Sequence, residues 1–174
     1  PKAEAVVNPN QLGCEFPSKA LAGVGVAFYL LANLTSHRAK LAKSIAKISQ
    51  YLDLVALGTY ADVASLDYNN RILVDAGVKR IQQNQCRMGI SALLDIAGRD
   101  PAELKASDLG FVLGPRINAA GRMDTMDIGI ECLLASEMQT AYAFAQQLND
   151  LNLERRQVES QMKQEALTEL EKLQ

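Results

Sequence analysis

The sequence predicts an α/β fold that turns helix-rich and closes in one long helix. Three observations carry this. Two short apolar runs, EAVVNPN (4–10) and LDLVALGTYAD (52–62), have the β-prone character of strands with helical pattern between them. After residue 67 the apolar positions recur at helical spacing only. From Glu137 onward, 38 residues pass without a glycine or proline.

The elements follow in order. Asn8-Pro9 stops the first run. ALAGVGVAFYLLANL (20–34) reads as a buried helix, and 38–50 as a second one with Leu41, Ile45 and Ile48 on one face and Lys40, Lys43 and Lys47 on the other. Leu52 to Leu57 is mostly apolar without alternation until Gly58 and Thr59, which is how a strand covered on both faces reads. Asn69 or Asn70 can cap RILVDAGVKRIQQ, Gly89 precedes ISALLDIAG, and Asp100-Pro101 opens PAELKA. In 137–174, Leu148, Leu151, Val158, Met162, Leu170 and Leu173 recur at three-, four- and seven-residue steps, and 154–172 holds five acids and four bases. That is one solvent-flanked helix, too long to be stable without a partner surface.

A chain of 174 residues suits one domain with an appendage, here 1–136 followed by 137–174. Hydrophobic residues at 48% allow a core, and a net charge of -2 argues against a broadly basic nucleic-acid coat without excluding a local basic site. Cys14, Cys86 and Cys132 are odd in number and far apart, and His37 is the only histidine, so a zinc site built from this chain is not expected. Free thiols in the cytoplasm are the simpler reading. No apolar run is long enough to span a membrane. The first residue is Pro1, and the chain reads as a piece cut from a longer one.

Three stretches are candidates for chemistry. AGVGVAF (22–28) contains GxG but has Phe28 where a third glycine would stand, so close helix packing explains it better than a dinucleotide. In GTYADVASLD (58–67) a carboxylate follows an apolar run, where α/β sites gather. Asp62 is a candidate Mg²⁺ or Mn²⁺ ligand; alternatively Asp62 or Asp67 caps the next helix. GPRINAAGRMD (114–124) sets Arg116, Asn118 and Arg122 among Gly114 and Gly121. It reads either as a tight turn with solvated arginines or as a phosphate clamp, since guanidinium forks match phosphate oxygens. Arg71, Lys79, Arg80 and Arg87 form a looser basic group of the kind that is usually a solvated face.

Taken in order, VVNPNQ, CEFPSKALAGVGVAFYLL, LDLVALGTYADVASLDYNNRILV, GISALLDIAGRD, SDLGFVLGPRINAAGRMD and LNLERRQVESQM resemble the bacterial RecJ family of the DHH phosphoesterase superfamily over about residues 3–162. The resemblance implies the C-terminal part of a DHH-type parallel-sheet phosphoesterase domain, with 137–174 as an interdomain connector. It also implies a single-strand-specific 5′-to-3′ DNA exonuclease of recombination and repair, with a two-metal Mn²⁺/Mg²⁺ centre. Asp62 matches one metal ligand and catalytic position; Arg116, also counted as catalytic, matches with Asn118 and Arg122 the family's phosphate-contacting motif. The remaining carboxylate and histidine ligands are expected upstream, so this chain alone is expected to be inactive, with weak, salt-sensitive strand binding through Arg116 and Arg122. Single-stranded DNA is the expected partner, single-strand-binding protein and a helicase are candidate ones, and a monomer is expected. Where the family commonly reads GTVADVVPLD this chain has Tyr60, Ala64 and Ser65, and Met88 stands where proline is common. Rival readings are another superfamily phosphoesterase acting on pyrophosphate or short oligonucleotides, a catalytically dead replication scaffold, and a helical self-association module.

Overall fold

The computed structural model describes residues 4–41, 48–123 and 126–172, the side chains of 37–41, 122 and 123 excepted. The described residues contain no strand. They form α1 (Gly23–Leu41), a 3₁₀ turn (Ile48–Tyr51), α2 (Leu52–Ala61), α3 (Tyr68–Gln82), α4 (Met88–Ile96), a second 3₁₀ turn (Pro101–Glu103), the short α5 (Ala106–Asp108), a π-helical turn (Leu109–Leu113), α6 (Gly114–Met123), α7 (Asp127–Leu134) and α8 (Met138–Glu171). None of these helices is long and apolar enough to cross a membrane.

The expected strands are corrected. LDLVALGTYA is α2, with Asp53, Val55, Ala56, Leu57 and Thr59 all buried. Burial on every side removes polar alternation from a helix as thoroughly as from a central strand, so periodicity alone does not separate the two. Composition favours the helix: Leu and Ala are strong helix formers and Asp53 lies in the first turn; the buried Thr59 hydroxyl is satisfied within it by donating to the Val55 carbonyl at 2.7 Å. The first run, 4–10, is irregular and ends in a turn where the Gln11 amide reaches the Asn8 carbonyl at 3.2 Å. Val6 and Val7 are exposed there, and a strand needs a pairing neighbour to satisfy its backbone. Of the helix expected over 38–50, residues 42–47 lie outside the described residues.

Two compact units emerge, one from 1–86 with 100–114, the other from 87–99 with 115–174. In the first, α2 is central and packs on α1, α3 and the π turn. Its contacts are close because glycines stand at them, Gly77 facing it and Gly58 within it. A Cβ on Gly77 of α3 would lie 2.2 Å from the Leu52 carbonyl oxygen, and one on Gly58 would lie 2.7 Å from Val24 of α1. The GxG stretch is therefore a helix start from which Val24 packs on α2, while Gly23 has open space around it and Gly25 meets only Leu21, so the glycines themselves make no close contact with another helix. Tyr60, unusual for the resembled motif, lies against Gly110 of the π turn, 3.2 Å from where a Cβ would sit.

The turn between α2 and α3 is held by a polar network rather than a proline. Asp67 caps α3 by accepting from the Asn70 amide at 2.8 Å, and its second oxygen accepts from Ser18 at 2.6 Å. Asn70, fully buried, donates through Nδ2 to the carbonyls of both Ala20 and Ser65 at 2.8 Å. The expected caps Asn69 and Asn70 are thus inside the helix, where Asn69 accepts from the Tyr29 hydroxyl. The Asn70 amide, then the Ser18 hydroxyl, hold the Asp67 carboxyl below its ordinary value. Because the folded value lies below the unfolded one, this stabilisation is complete above about pH 4 and is lost as pH falls through the folded value. Asp67→Ala is expected to cost about 1–2 kcal/mol in urea unfolding at pH 7. The difference from the parent should shrink toward pH 2; a constant difference would mean the charge plays no part.

In the second unit α4, α7 and α8 pack together through Ile90, Leu93, Leu94, Cys132, Ala141, Ala145 and Leu148, all fully buried. Gly89 is where α4 meets α7: a Cβ there would be 2.1 Å from the Cys132 carbonyl oxygen. The Tyr142 hydroxyl donates to Asp95 at 2.6 Å and ties α8 to α4. Burial pushes the Cys132 thiol up to about 11, so it stays protonated, with Sγ 3.8 Å from the Ala141 carbonyl.

Candidate functional site

Asp62 belongs to the first unit. It is the C-cap of α2, exposed, in right-handed geometry, and Val63 after it turns left-handed at φ 53°. The Val63 amide bonds the Tyr60 carbonyl at 3.1 Å and the Ala64 amide bonds that of Thr59 at 3.0 Å. That paired arrangement is the Schellman closure. The same closure ends α3 at Asn84 and α4 at Gly98. Glycine and asparagine tolerate the left-handed position; a β-branched valine is strained there by about 1–3 kcal/mol. Val63 is also 87% exposed, so no burial of its side chain offsets that strain. Asp62, meanwhile, sets a negative charge at the negative end of a helix, a placement that favours an approaching cation.

Arg116 belongs to the second unit. The π turn precedes its helix: the Gly114 N–H bonds back to the Leu109 carbonyl, five residues earlier. Pro115 follows, with no N–H to offer and a ring that crowds the preceding turn, and a π turn is a local way to admit it. GPRINAAGRM is therefore a helix, not the flexible turn that its glycines suggest. Gly114 is buried, with Ala61 3.5 Å from where a Cβ would sit, and Gly121 faces Met126. Arg116 is half-buried and donates through Nε to Asn149 Oδ1 of α8 at 3.1 Å. Burial first, then the charges of Arg156 and Arg99, hold its pKa below the ordinary arginine value without discharging it.

Asn118, two residues on, is exposed, and residues two apart on a helix do not share a face. Arg116 and Asn118 therefore do not converge on one point in the free chain. Arg122 lies on the same helix, but its side chain is outside the described residues. The looser basic group is engaged locally: Arg71 Nε donates to the Leu66 carbonyl, Lys79 pairs with Asp75 at 2.7 Å, and Arg80 donates to the Gln85 carbonyl. Three residues beside Arg116 carry no role in the sequence reading: Arg99, Asn149 and Arg156. The last two stand seven apart in NDLNLERR, on one face of a helix and open to inspection; Arg99 lies 17 residues before Arg116 and gave no such signal.

Three or more His, Cys, Asp or Glu side chains that could hold a metal ion do not cluster anywhere among the described residues. Asp62 by itself is one oxygen donor and does not make a centre. What the chain offers is a carboxylate at a strained helix end in one unit and a guanidinium anchored on an amide in the other.

Such parts fit the class of phosphate-ester chemistry, and comparison with known proteins narrows it. No family model matches the chain. The single-stranded-DNA-specific exonuclease RecJ of Dickeya dadantii is 52% identical over 179 aligned residues, 99% of this chain and 31% of that protein. A crystal structure of exonuclease RecJ bound to manganese superposes with a TM-score of 0.79 at 33% identity, over 91% of this chain and 38% of that one. The structure of RecJ in complex with Mg²⁺ from Thermus thermophilus gives 0.76 at 33% identity, over 87% and 23%. The chain belongs to the RecJ family and spans about a third of the length of the curated relatives it matches.

Proposed function

We propose that the chain is one segment of a single-strand-specific 5′-to-3′ DNA exonuclease that hydrolyses phosphodiester bonds with divalent manganese or magnesium. The observation that carries this reading is the agreement in both sequence and shape with RecJ proteins along nearly the whole chain. In it, Asp62 is a metal ligand and Arg116, Asn118 and Arg122 hold strand phosphates. The bound ions would supply Lewis acidity and an activated water. This chain's own contribution is to hold a carboxylate at Asp62 and a positive charge at Arg116. Other parts of the longer protein supply the parallel sheet and the remaining ligands, and 137–174 leads toward a further domain. A cytoplasmic monomer that works beside single-strand-binding protein and a helicase completes the reading.

The test is digestion of 5′-labelled single-stranded DNA with Mn²⁺ by the full-length protein, beside pyrophosphate as rival substrate. Strand digestion with no release from pyrophosphate is expected, and no digestion by the 174-residue chain alone. Faster hydrolysis of pyrophosphate would favour a different phosphoesterase. A strand that is bound and left intact would favour a scaffold.

A further inference from the structure

The buried stripe of α8 runs Ala141, Ala145, Leu148, Asn152 at four-, three- and four-residue steps. Three of these are apolar. The fourth is a fully buried carboxamide whose Oδ1 and Nδ2 both lack a hydrogen-bond partner. A buried amide left in this state is disfavoured, and an apolar side chain of similar shape would serve the stripe better. Its position suggests a use. Asn152 stands three residues after Asn149, which accepts from Arg116, and four before Arg156, whose charge reaches Arg116. Residues at these steps share one face of a helix, so Asn149, Asn152 and Arg156 line the path along α8 beside the Arg116 guanidinium.

Arg99 enters from α4. Gly98 turns left-handed at φ 64° and the Arg99 amide bonds the Leu94 carbonyl at 2.9 Å, which fixes the backbone from which that side chain leaves. Arg156 and Arg99 each add positive charge beside the half-buried Arg116, and the negative end of α4 offsets only part of that. An oxyanion would relieve it. Guanidinium forks match tetrahedral phosphate oxygens, and several can share one phosphate.

We propose that Arg99, Arg116 and Arg156 form one phosphate-binding subsite, with Asn152 at its floor, that grips a single phosphodiester of a bound strand. The subsite deepens the strand-binding reading above and rests on it. Arg116 is its fixed member, through Asn149. Arg99 and Arg156 are exposed and close on the ligand from α4 and α8. Asn152 is a positioning residue, whose amide finds its partner when the arginines draw in around the phosphate.

The test uses the full-length protein in metal-free buffer with EDTA and a fluorescein-labelled thymidine oligonucleotide of about 15 residues, read by anisotropy across a salt series. Arg99→Gln and Arg156→Gln are each expected to weaken binding about tenfold and to lower the salt slope by roughly one. Their double variant should lose less than the product of the two, as members of one site do. Lys79→Gln, an exposed charge removed in the other unit, should stay within about twofold of the parent. A second arm reads Tm in inorganic phosphate against chloride at equal ionic strength. Phosphate should raise Tm in the parent, and in neither arginine variant. Asn152→Leu should raise Tm without phosphate and lose the phosphate response.

The two readings fail separately. If the parent binds the strand while Arg99→Gln and Arg156→Gln behave as Lys79→Gln, the subsite is overturned and strand binding stands. If the parent ignores the strand yet gains a phosphate response that the arginine variants lose, the oxyanion site stands, its ligand is free phosphate, and the strand reading falls. A phosphate response retained in Asn152→Leu removes Asn152 from the site.

Discussion

Asp62→Ala in the full-length protein is expected to lower exonuclease turnover by at least about a hundredfold in Mn²⁺ while leaving the fold as stable as before or slightly more so. The two halves of this expectation come from different physics. In the proposed reading Asp62 is a first-coordination carboxylate, which a methyl group cannot replace, and even the outer partners of metal ligands are worth about ten- to a hundredfold in affinity or activity. For the fold, Asp62 is exposed at the negative end of α2, so removing its charge relieves an unfavourable interaction of about 0.3–1 kcal/mol. Thermal melts measured beside strand digestion separate the effects. Equal activity in variant and parent would reduce Asp62 to a helix terminus and move the metal site elsewhere. Val63→Gly sharpens the test: it removes the left-handed strain at φ 53° and should hold or raise Tm, while a looser Asp62 lowers turnover.

Gly89→Ala and Gly77→Ala are expected to be the most damaging substitutions for stability, each costing on the order of 3 kcal/mol or more. In both, the added carbon meets backbone, which has no rotamer to change. At Gly89 it would lie 2.1 Å from the Cys132 carbonyl oxygen and 2.7 Å from its carbon; at Gly77, 2.2 Å from the Leu52 oxygen and 2.5 Å from Ala56 Cβ. α4 and α7, or α2 and α3, must separate; α2 against α3 is the main contact of the first unit, and in the second α4 and α7 both pack on α8, so parting them disturbs that core. Gly98→Ala is the comparison: it has open space around it but a left-handed φ of 64°, so it bears only local strain of about 1 kcal/mol. Urea unfolding midpoints should rank the parent above Gly98→Ala, and Gly98→Ala above both others. Gly89→Ala as mild as Gly98→Ala would show that α7 yields easily.

Much of this was legible in the sequence, unevenly. The long helix followed from the absence of breakers after Glu137, and α8 is continuous from Met138 to Glu171. LDLVALGTYA was misread because total burial erases the period that distinguishes helix from strand. GPRINAAGR looked flexible because glycine and proline ordinarily break helices, yet here one glycine is packed tightly and the proline sits behind a π turn. The Asn69 and Asn70 pair suggested caps, but the cap is Asp67, two residues before Asn69, which GTYADVASLD also offered as a capping residue. For the site, Arg116 was singled out from its own motif. Its neighbours Arg99 and Arg156 come from helices far apart in sequence, and only the packing of α4 against α8 brings them near. Nothing in local composition encodes that.

α8 is one helix by geometry and two by thermodynamics. Up to Asn152 it is anchored by its buried stripe; from Leu153 to Glu171 only Arg155 is even half-covered, and Leu153, Val158, Met162, Leu167 and Leu170 face solvent. Amides in the first half can exchange with deuterium only as the unit opens, whereas those in the second are protected by little beyond the helix's own cooperativity. The boundary falls at NLERR, so Arg156 stands on the first turn that the core no longer steadies, and its reach toward a ligand is set by how well that turn holds.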